Sequence, residues 1–261
     1  MTVPVRISED CRLFGKMLLN CLFPRQCPYC GHTLGFVPEC SHCAQLKKQL
    51  EWPGHMLSPG RHHFGRLAGA ATLYQYEDAV RKSILQMKYH GCRWYAPELG
   101  REMAKTLVGC TLSVKYGIIL PNPGSASAAD WDVVVPVPGS GKGRGYNIPC
   151  LLARPIARAL DLPLYQDALR RDRRDRPQAR LRSGQRILNA KGAFVPNMNY
   201  DLHGLRVLLV DDVITTGATA AACADALLLA GAQSVWAVSL AASTSGEDET
   251  LKAKQDDFVI E

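Results

Sequence analysis

Apolar residues follow two different periods along the chain. Short continuous apolar runs stopped by turn residues are typical of strands buried on both faces. Such runs predict strands at 67–75, 131–138, 192–195, 206–210 and 234–240. Between them, apolar residues recur at helical spacing and predict helices at 77–89, 96–108, 148–160 and 217–230. Strands that alternate with helices indicate a parallel sheet flanked by helices, an α/β fold.

The same pattern divides the chain into four parts. A short N-terminal helix is expected within residues 1–20, and a cysteine-rich module that ends in a linker of turn formers within 21–60. The α/β domain is predicted over 61–243, followed by a polar tail over 244–261 that we expect to fray. Within the domain, the stretch 117–130 is rich in turn formers and is predicted to be an insert or loop.

Composition indicates the broad class of protein and its expected compartment. The chain has 261 residues, of which 47% are hydrophobic and 21% charged, as is ordinary for a globular protein. No apolar stretch reaches the roughly 18 residues of a membrane helix. The first residues also lack the features of a signal peptide, so we expect a cytoplasmic protein with no membrane span.

The net charge of +7 is concentrated in one place. Eight arginines and two aspartates lie between Arg170 and Arg186. Such a run predicts either a solvated loop or a loop that folds over phosphates or nucleic acid.

Four of the ten cysteines form two CxxC pairs separated by nine residues: Cys27, Cys30, Cys40 and Cys43. Each CxxC turn can bring two thiolates to one ion, and two such turns supply the closed tetrahedral site of a structural zinc ion. A reducing compartment argues against the alternative of disulfides. We therefore predict structural zinc at these cysteines, with loss of an ancestral metal as the other possibility.

A pair of acids follows the apolar run of residues 207–210. Asp211 and Asp212 are expected at the carboxyl end of a central strand, which is where ligands bind in such folds. Since side chains alternate along a strand, the two carboxylates should diverge. Together they can accept hydrogen bonds from two vicinal hydroxyls or reach a metal-bound water.

Small residues follow the acids and predict a tight turn into a helix: Thr215, Thr216, Gly217, Ala218 and Thr219. Backbone N–H groups at such a turn, together with the helix dipole, bind phosphate. We expect Gly217 to omit a Cβ that would crowd the anion. A diol site beside a phosphate site fits a ribose 5-phosphate. Response regulators also end a strand in two aspartates, but about a hundred residues usually follow, whereas 49 follow Asp212 here. An ordinary strand–turn–helix with a capping aspartate is the other alternative.

The segment VLLVDDVITTGAT (207–219) resembles the phosphoribosyl pyrophosphate (PRPP) binding motif of type I phosphoribosyltransferases. The resemblance implies that fold, with a small N-terminal zinc-binding module in this chain. It also implies that Asp211 and Asp212 are the candidate catalytic pair at the ribose hydroxyls, and that Thr215 to Thr219 hold the 5-phosphate. Mg²⁺ would accompany PRPP, bridging its pyrophosphate and ribose.

Further segments narrow the resemblance to the ComF family, which is linked to DNA uptake during natural competence. They are FPRQCPYC with CSHC, YEDAVRKSILQMKYHG (76–91), VVVPVP (133–138) with RGYN (144–147), and RPQARLRSGQRILNAKGAF (176–194). By this resemblance, the arginine-rich stretch lies where these enzymes carry a mobile hood over the active site.

Three cations are candidates for the pyrophosphate. Pro136 and Pro138 open a glycine-rich loop, GSGKGRG (139–145), which exposes backbone N–H groups together with Lys142 and Arg144. A flexible surface loop is the alternative. Lys88 ends a helix before a glycine and is either another phosphate cation or a helix-end charge.

Three functions remain open at the level of sequence. The chain is either an active phosphoribosyltransferase that acts on an unidentified base, or a DNA-uptake or DNA-processing factor that binds PRPP or a nucleotide-like molecule without turnover. A metabolite-sensing scaffold is the third. For the second function, single-stranded DNA and DNA-uptake proteins are the expected partners.

Overall fold

The computed structural model describes residues 9–115, 118–126, 130–139, 145–172 and 193–243. Its strands are β1 (Gly69–Gln75), β2 (Leu112–Lys115), β3 (Ile118–Pro121), β4 (Val133–Pro136), β5 (Leu169–Arg171), β6 (Phe194–Pro196), β7 (Arg206–Ile214) and β8 (Ser234–Ala242). Its helices are α1 (Glu9–Leu22), α2 (Ala44–Leu50), α3 (Asp78–Tyr89), α4 (Tyr95–Leu107), α5 (Ile148–Leu160) and α6 (Ala218–Leu229).

A four-stranded parallel sheet forms the centre of the domain, in the order β1-β8-β7-β4. Its strands are apolar on both faces; Val133, Val134 and Val135 of β4 are all fully buried. Such continuous burial is expected when helices cover both sides of a parallel sheet. The predicted α/β fold is therefore confirmed.

The two faces of the sheet pack against different helices. Leu208 and Val210 of β7 belong to the core that includes α3, α4 and α5. Val207 and Leu209, which alternate with them, belong to the core that includes α6. Any β7 residue can thus be assigned to one face or the other.

Three local features differ from the sequence expectation. The stretch expected to be an insert or loop contains β3, which pairs with β2 in an antiparallel hairpin and buries Ile119. Strand β6 pairs with β5, which the apolar pattern did not predict. The expected linker contains part of α2 and buries Trp52 and Leu57 against the domain. The hairpin is ordered by pairing between its own two strands, whereas β5, β6 and the linker residues are ordered by partners distant in sequence, and local periodicity records neither kind of contact.

None of the helices in the described ranges has both the length and the apolar character needed to cross a membrane.

Candidate functional site

The acid pair lies inside β7 rather than at its end. Strand β7 continues to Ile214 because β8 runs beside it as far as Ala242 and supplies hydrogen-bond partners. Strand β4, however, ends opposite Val210. The edge of the sheet therefore opens at Asp211 and Asp212, which keeps them at the carboxyl end of β4.

Among the described residues, Lys88 brings a cation to the acid pair. It lies in the last turn of α3, and its Nζ is 2.8 Å from Oδ2 of Asp212. Burial alone would lower the pKa of Lys88, but the attraction of Asp212 outweighs it, so the pKa is raised and the ammonium stays charged. The ion pair is mostly shielded from solvent.

Asp211 lies in a different environment from its neighbour. Only 6% of Asp211 is exposed, and it alternates with Asp212 along the strand, on the face that packs against α6. Burial raises the pKa of Asp211 to about 8, and the adjacent Asp212 carboxylate adds to the rise. The N–H of Asp212 donates a hydrogen bond to Asp211 Oδ1 at 2.8 Å, and this bond lowers the pKa of Asp211 and so opposes the rise. The surroundings of Asp211 therefore favour its protonated form.

The threonine-rich turn follows β7 and leads into α6, as predicted. Its N–H groups at the helix start lack intrahelical partners by geometry, and the helix dipole adds positive character. The backbone gives a reason for Gly217 that the sequence did not show. Its φ is +80°, and a Cβ there would lie 2.5 Å from the carbonyl oxygen of His63. Glycine is needed because the His63 backbone packs on the turn, where the His63 N–H also donates to Thr216 O at 2.7 Å.

The RGYN segment connects the site elements in a way that the sequence did not reveal. Tyr146 donates its hydroxyl hydrogen bond to the carbonyl of Met87, at 2.6 Å, next to Lys88. Asn147 donates from Nδ2 to the carbonyl of Val137 at 2.9 Å, just after β4. The segment therefore joins the end of α3 to the end of β4.

Some candidate residues lie outside the described residues. These are Lys142 and Arg144 of the glycine-rich loop, and the arginine-rich stretch after Asp172. The described flanks, Gly139 and Gly145, place the ends of that loop between β4 and α5. The loop therefore begins where β4 ends, beside the acid pair.

The four predicted metal ligands form one cluster. The sulfurs of Cys27, Cys30, Cys40 and Cys43 all lie within 4.8 Å of one another. The Cys27–Cys43 and Cys30–Cys40 sulfur distances are 3.7 and 3.8 Å. A tetrahedral zinc ion with Zn–S bonds of about 2.3 Å requires sulfurs about 3.8 Å apart. Burial raises the pKa of Cys27 to about 11, so a bound cation would be needed to hold this thiol as a thiolate. The donors and their spacing fit a structural zinc site.

The domain match and the relatives identify the class of protein. Residues 128–260 match the phosphoribosyl transferase domain family. This chain therefore belongs to that family, with a type I phosphoribosyltransferase fold and a parallel sheet flanked by helices.

Two relatives narrow the assignment within the class. The chain is 28% identical over 211 residues to the DNA utilization protein YhgH of Salmonella typhi, with 80% of each chain covered. It is 26% identical over 197 residues to Competence protein F of Haemophilus influenzae, covering 74% of this chain and 75% of that one. With the domain match, they confirm the assignment to the ComF family predicted from the motifs.

Among solved structures, the orotate phosphoribosyltransferase of Mycobacterium tuberculosis in complex with Fe(III) dicitrate is similar to this chain. It is 18% identical, covers 82% of this chain and 90% of its own, and has a TM-score of 0.34.

Proposed function

We propose that this chain binds PRPP, or a related ribose 5-phosphate ligand, at the opening between β4 and β7. The observation that carries the proposal is the arrangement around β7. Two acids and a phosphate-type helix start follow one another along a few residues of backbone, and Lys88 of α3 reaches the second acid from across the sheet edge. This order matches the order of groups in a ribose 5-phosphate ligand.

Each residue has a role that its environment supports. Asp212 pairs with Lys88 and would accept a hydrogen bond from a ribose hydroxyl. Asp211, whose raised pKa favours the protonated form, would donate as well as accept at the second hydroxyl. The N–H groups of Thr215 to Thr219 would hold the 5-phosphate. Lys88, Lys142 and Arg144 would neutralise the pyrophosphate. Mg²⁺, when bound with PRPP, would supply further neutralisation of phosphate charge.

The biological role that we propose is DNA uptake or DNA processing in the cytoplasm. Two relatives carry names that refer to DNA utilisation and to competence. An active phosphoribosyltransferase that transfers ribose 5-phosphate to an unidentified base is the alternative. A binding protein and an enzyme would share the site described above, so only turnover distinguishes them.

A pyrophosphate assay separates these two functions. The protein would be incubated with Mg²⁺, PRPP and a panel of bases, while PRPP binding is measured in parallel. Binding without pyrophosphate release supports the non-catalytic function. Release that depends on one base, and that is lost in Asp212→Ala, supports the enzyme.

We also propose that the cysteine cluster holds a structural zinc ion. All four ligands come from the protein, which leaves no open position for catalysis. Metal analysis tests this: we expect about one zinc per chain, and less than about half an ion would contradict it.

Single-stranded DNA is a candidate partner because of one exposed turn. Tyr89 and Trp94 are 70% and 55% exposed, and His90 and Arg93 between them are exposed cations or potential cations. Exposed aromatic rings beside positive charge stack on unpaired bases and neutralise phosphates. The turn directly follows Lys88, so bound DNA would pass close to the β7 site.

Tryptophan fluorescence tests this contact, since Trp52, Trp131 and Trp236 are all less exposed than Trp94. We expect single-stranded DNA to quench the emission in a salt-dependent way, and Trp94→Phe to remove most of the quenching. Phe23→Ala, which removes an exposed aromatic ring outside this turn, is the control. Equal DNA affinity in wild type and a Tyr89→Ala/Trp94→Ala variant would contradict the contact.

A further inference from the structure

A buried hydrogen bond joins the metal-binding cysteines to the helix that carries Lys88. Ser83 lies on α3 and is fully buried. Its hydroxyl lies 2.6 Å from the carbonyl oxygen of Pro28, which is inside the Cys27–Cys30 turn. The same hydroxyl is 2.7 Å from the carbonyl of Ala79, one turn earlier on α3. The turn around the metal ligands is thus tied directly to α3.

The other end of α3 reaches the β7 site. Lys88 follows Ser83 by five residues on the same helix and pairs with Asp212 at 2.8 Å. The carbonyl of Met87 accepts the hydrogen bond from Tyr146. Helix α3 is therefore held at one point by the cysteine turn and at another by the RGYN segment. Because a helix transmits displacement along its axis, movement at Ser83 would move Lys88.

Most other polar contacts of the cysteine-rich module go to α4 instead. Arg25 forms a bidentate ion pair with Glu98, with both distances at 2.7 Å. Glu102 accepts hydrogen bonds from Tyr29 and from Lys47, the latter at 3.0 Å. These contacts dock the module on the domain, but they do not act on the helix that carries Lys88. The two sets can therefore be separated by mutation.

We propose that Ser83 is a positioning residue through which the metal-loaded cysteine turn holds Lys88 against Asp212. Ligand affinity at β7 then depends on metal loading at cysteines that lie more than 160 residues earlier in the chain. This inference rests on the proposed PRPP and zinc sites for its ligands, and on the Ser83–Pro28 contact for its mechanism.

The first test uses hydrogen exchange and needs no PRPP. Metal-loaded wild type, Ser83→Ala and Tyr29→Phe would be compared. Tyr29→Phe is the matched control, because it deletes one hydroxyl from the same cysteine turn that faces α4 rather than α3. We expect Ser83→Ala to keep its zinc and to exchange the amides of residues 85–88 several-fold faster than the other two proteins. Equal exchange in all three, or equal acceleration in both variants, would overturn the proposal.

Metal removal extends this test. A chelator should loosen residues 85–88 in the wild type while α6, on the opposite face of the sheet, keeps its protection. In Ser83→Ala, metal removal should add little to the loosening of α3. If α6 loses protection together with α3, or if α3 does not respond, the specific link through Ser83 is overturned.

Ligand titration provides the functional readout. Loss of one hydrogen bond predicts that metal-loaded Ser83→Ala binds PRPP about three- to tenfold more weakly, while Tyr29→Phe stays within about twofold of wild type. Unchanged affinity in Ser83→Ala would overturn the functional part of the inference. A wild type that binds no PRPP would instead contradict the proposed function, and the exchange result would still decide the link between the cysteine turn and α3.

Discussion

Two adjacent carboxyl groups in β7 lie in different environments. Asp212 forms an ion pair with Lys88, whereas Asp211 is buried on the other side of the strand, where burial raises its pKa to about 8. One ion pair is thus largely shielded from solvent, and beside it lies an acid whose surroundings favour the protonated form. This arrangement avoids the cost of burying two negative charges with a single cation. It also gives the ligand site one acceptor and one group that can donate.

Protonation of Asp211 makes the stability of the fold depend on pH. Below about pH 4 the folded and unfolded states both keep this proton. As the pH rises towards 8, the unfolded state loses the proton while the folded state retains it. The free energy of unfolding therefore falls over this range, and it levels off above the pKa of the folded state. We expect the free energy of unfolding of wild type, relative to Asp211→Asn, to decrease from about pH 4 to about pH 8. Urea denaturation across this range measures it, and a constant difference would contradict the assignment.

The Lys88–Asp212 pair predicts a large effect when one partner is removed. Lys88→Met would leave a buried carboxylate without its cation and lower the free energy of unfolding by about 3 kcal/mol. Adding Asp212→Asn to this variant should restore most of the lost free energy of unfolding. The control is Lys105→Met, whose lysine pairs with Glu39 in a more exposed position and should cost less than about 1 kcal/mol. Denaturant titration of the four proteins tests this; similar losses at both lysines would contradict a special role for Lys88.

The helices and strands that have a clear apolar pattern of their own were predicted well from the sequence. Helix α5 spans the predicted residues 148–160, and β4 lies within the predicted run. Strands β2, β3 and β5 were missed because they are short and depend on pairing with another strand for their order. Strand β7 was predicted too short, since Asp211 and Asp212 interrupt its apolar run and the strand continues to Ile214 only because β8 pairs with it.

The candidate site was predicted in its residue types but not in its connections. The acid pair and the threonine turn can be read from one short segment of sequence. The bonds from Tyr146 to Met87 and from Ser83 to Pro28 join residues more than 50 positions apart. Nothing in the local spacing of residues encodes such contacts. The same holds for His63, whose backbone decides why residue 217 must be glycine.

Gly217 allows a direct test of the turn. Gly217→Ala places a side chain at positive φ and drives its Cβ into the His63 carbonyl. Gly109→Ala is the matched control, because Gly109 has φ +71° but nothing within 4 Å of the added Cβ. Thermal unfolding should show a loss of about 1 kcal/mol for the control and clearly more for Gly217→Ala. Equal losses would contradict the packing of His63 against the turn.

The cysteine-rich module is expected to depend on its metal. Cys43→Ser removes a buried ligand and should reduce the zinc content to less than about half an ion per chain, with a lower melting temperature. Cys21→Ser, at an exposed cysteine outside the cluster, should change neither quantity. Metal analysis and calorimetry measure both. Full zinc content in Cys43→Ser would contradict a four-cysteine site.

At the scale of the whole molecule, two sites of different chemistry are attached to one sheet. The cysteine cluster docks on α4 and contacts α3, and α3 delivers Lys88 to the acid pair. In our proposal, the cysteine-rich module with its metal supports a phosphate-ligand site at the carboxyl end of β4. The positive net charge of +7 suits an anionic ligand or partner on the same molecule.

Calorimetric titration of PRPP in the presence of Mg²⁺ tests the central claim most directly. Three proteins would be compared: wild type, Asp212→Asn, and Asp201→Asn, which alters an exposed carboxylate shortly before β7, at the opposite end of that strand from the site. We predict one PRPP per chain for wild type and Asp201→Asn, and at least tenfold weaker binding for Asp212→Asn, since a charge-assisted hydrogen bond contributes about 1.5–3 kcal/mol. No binding by the wild type, or equal binding by all three proteins, would contradict a PRPP site at β7.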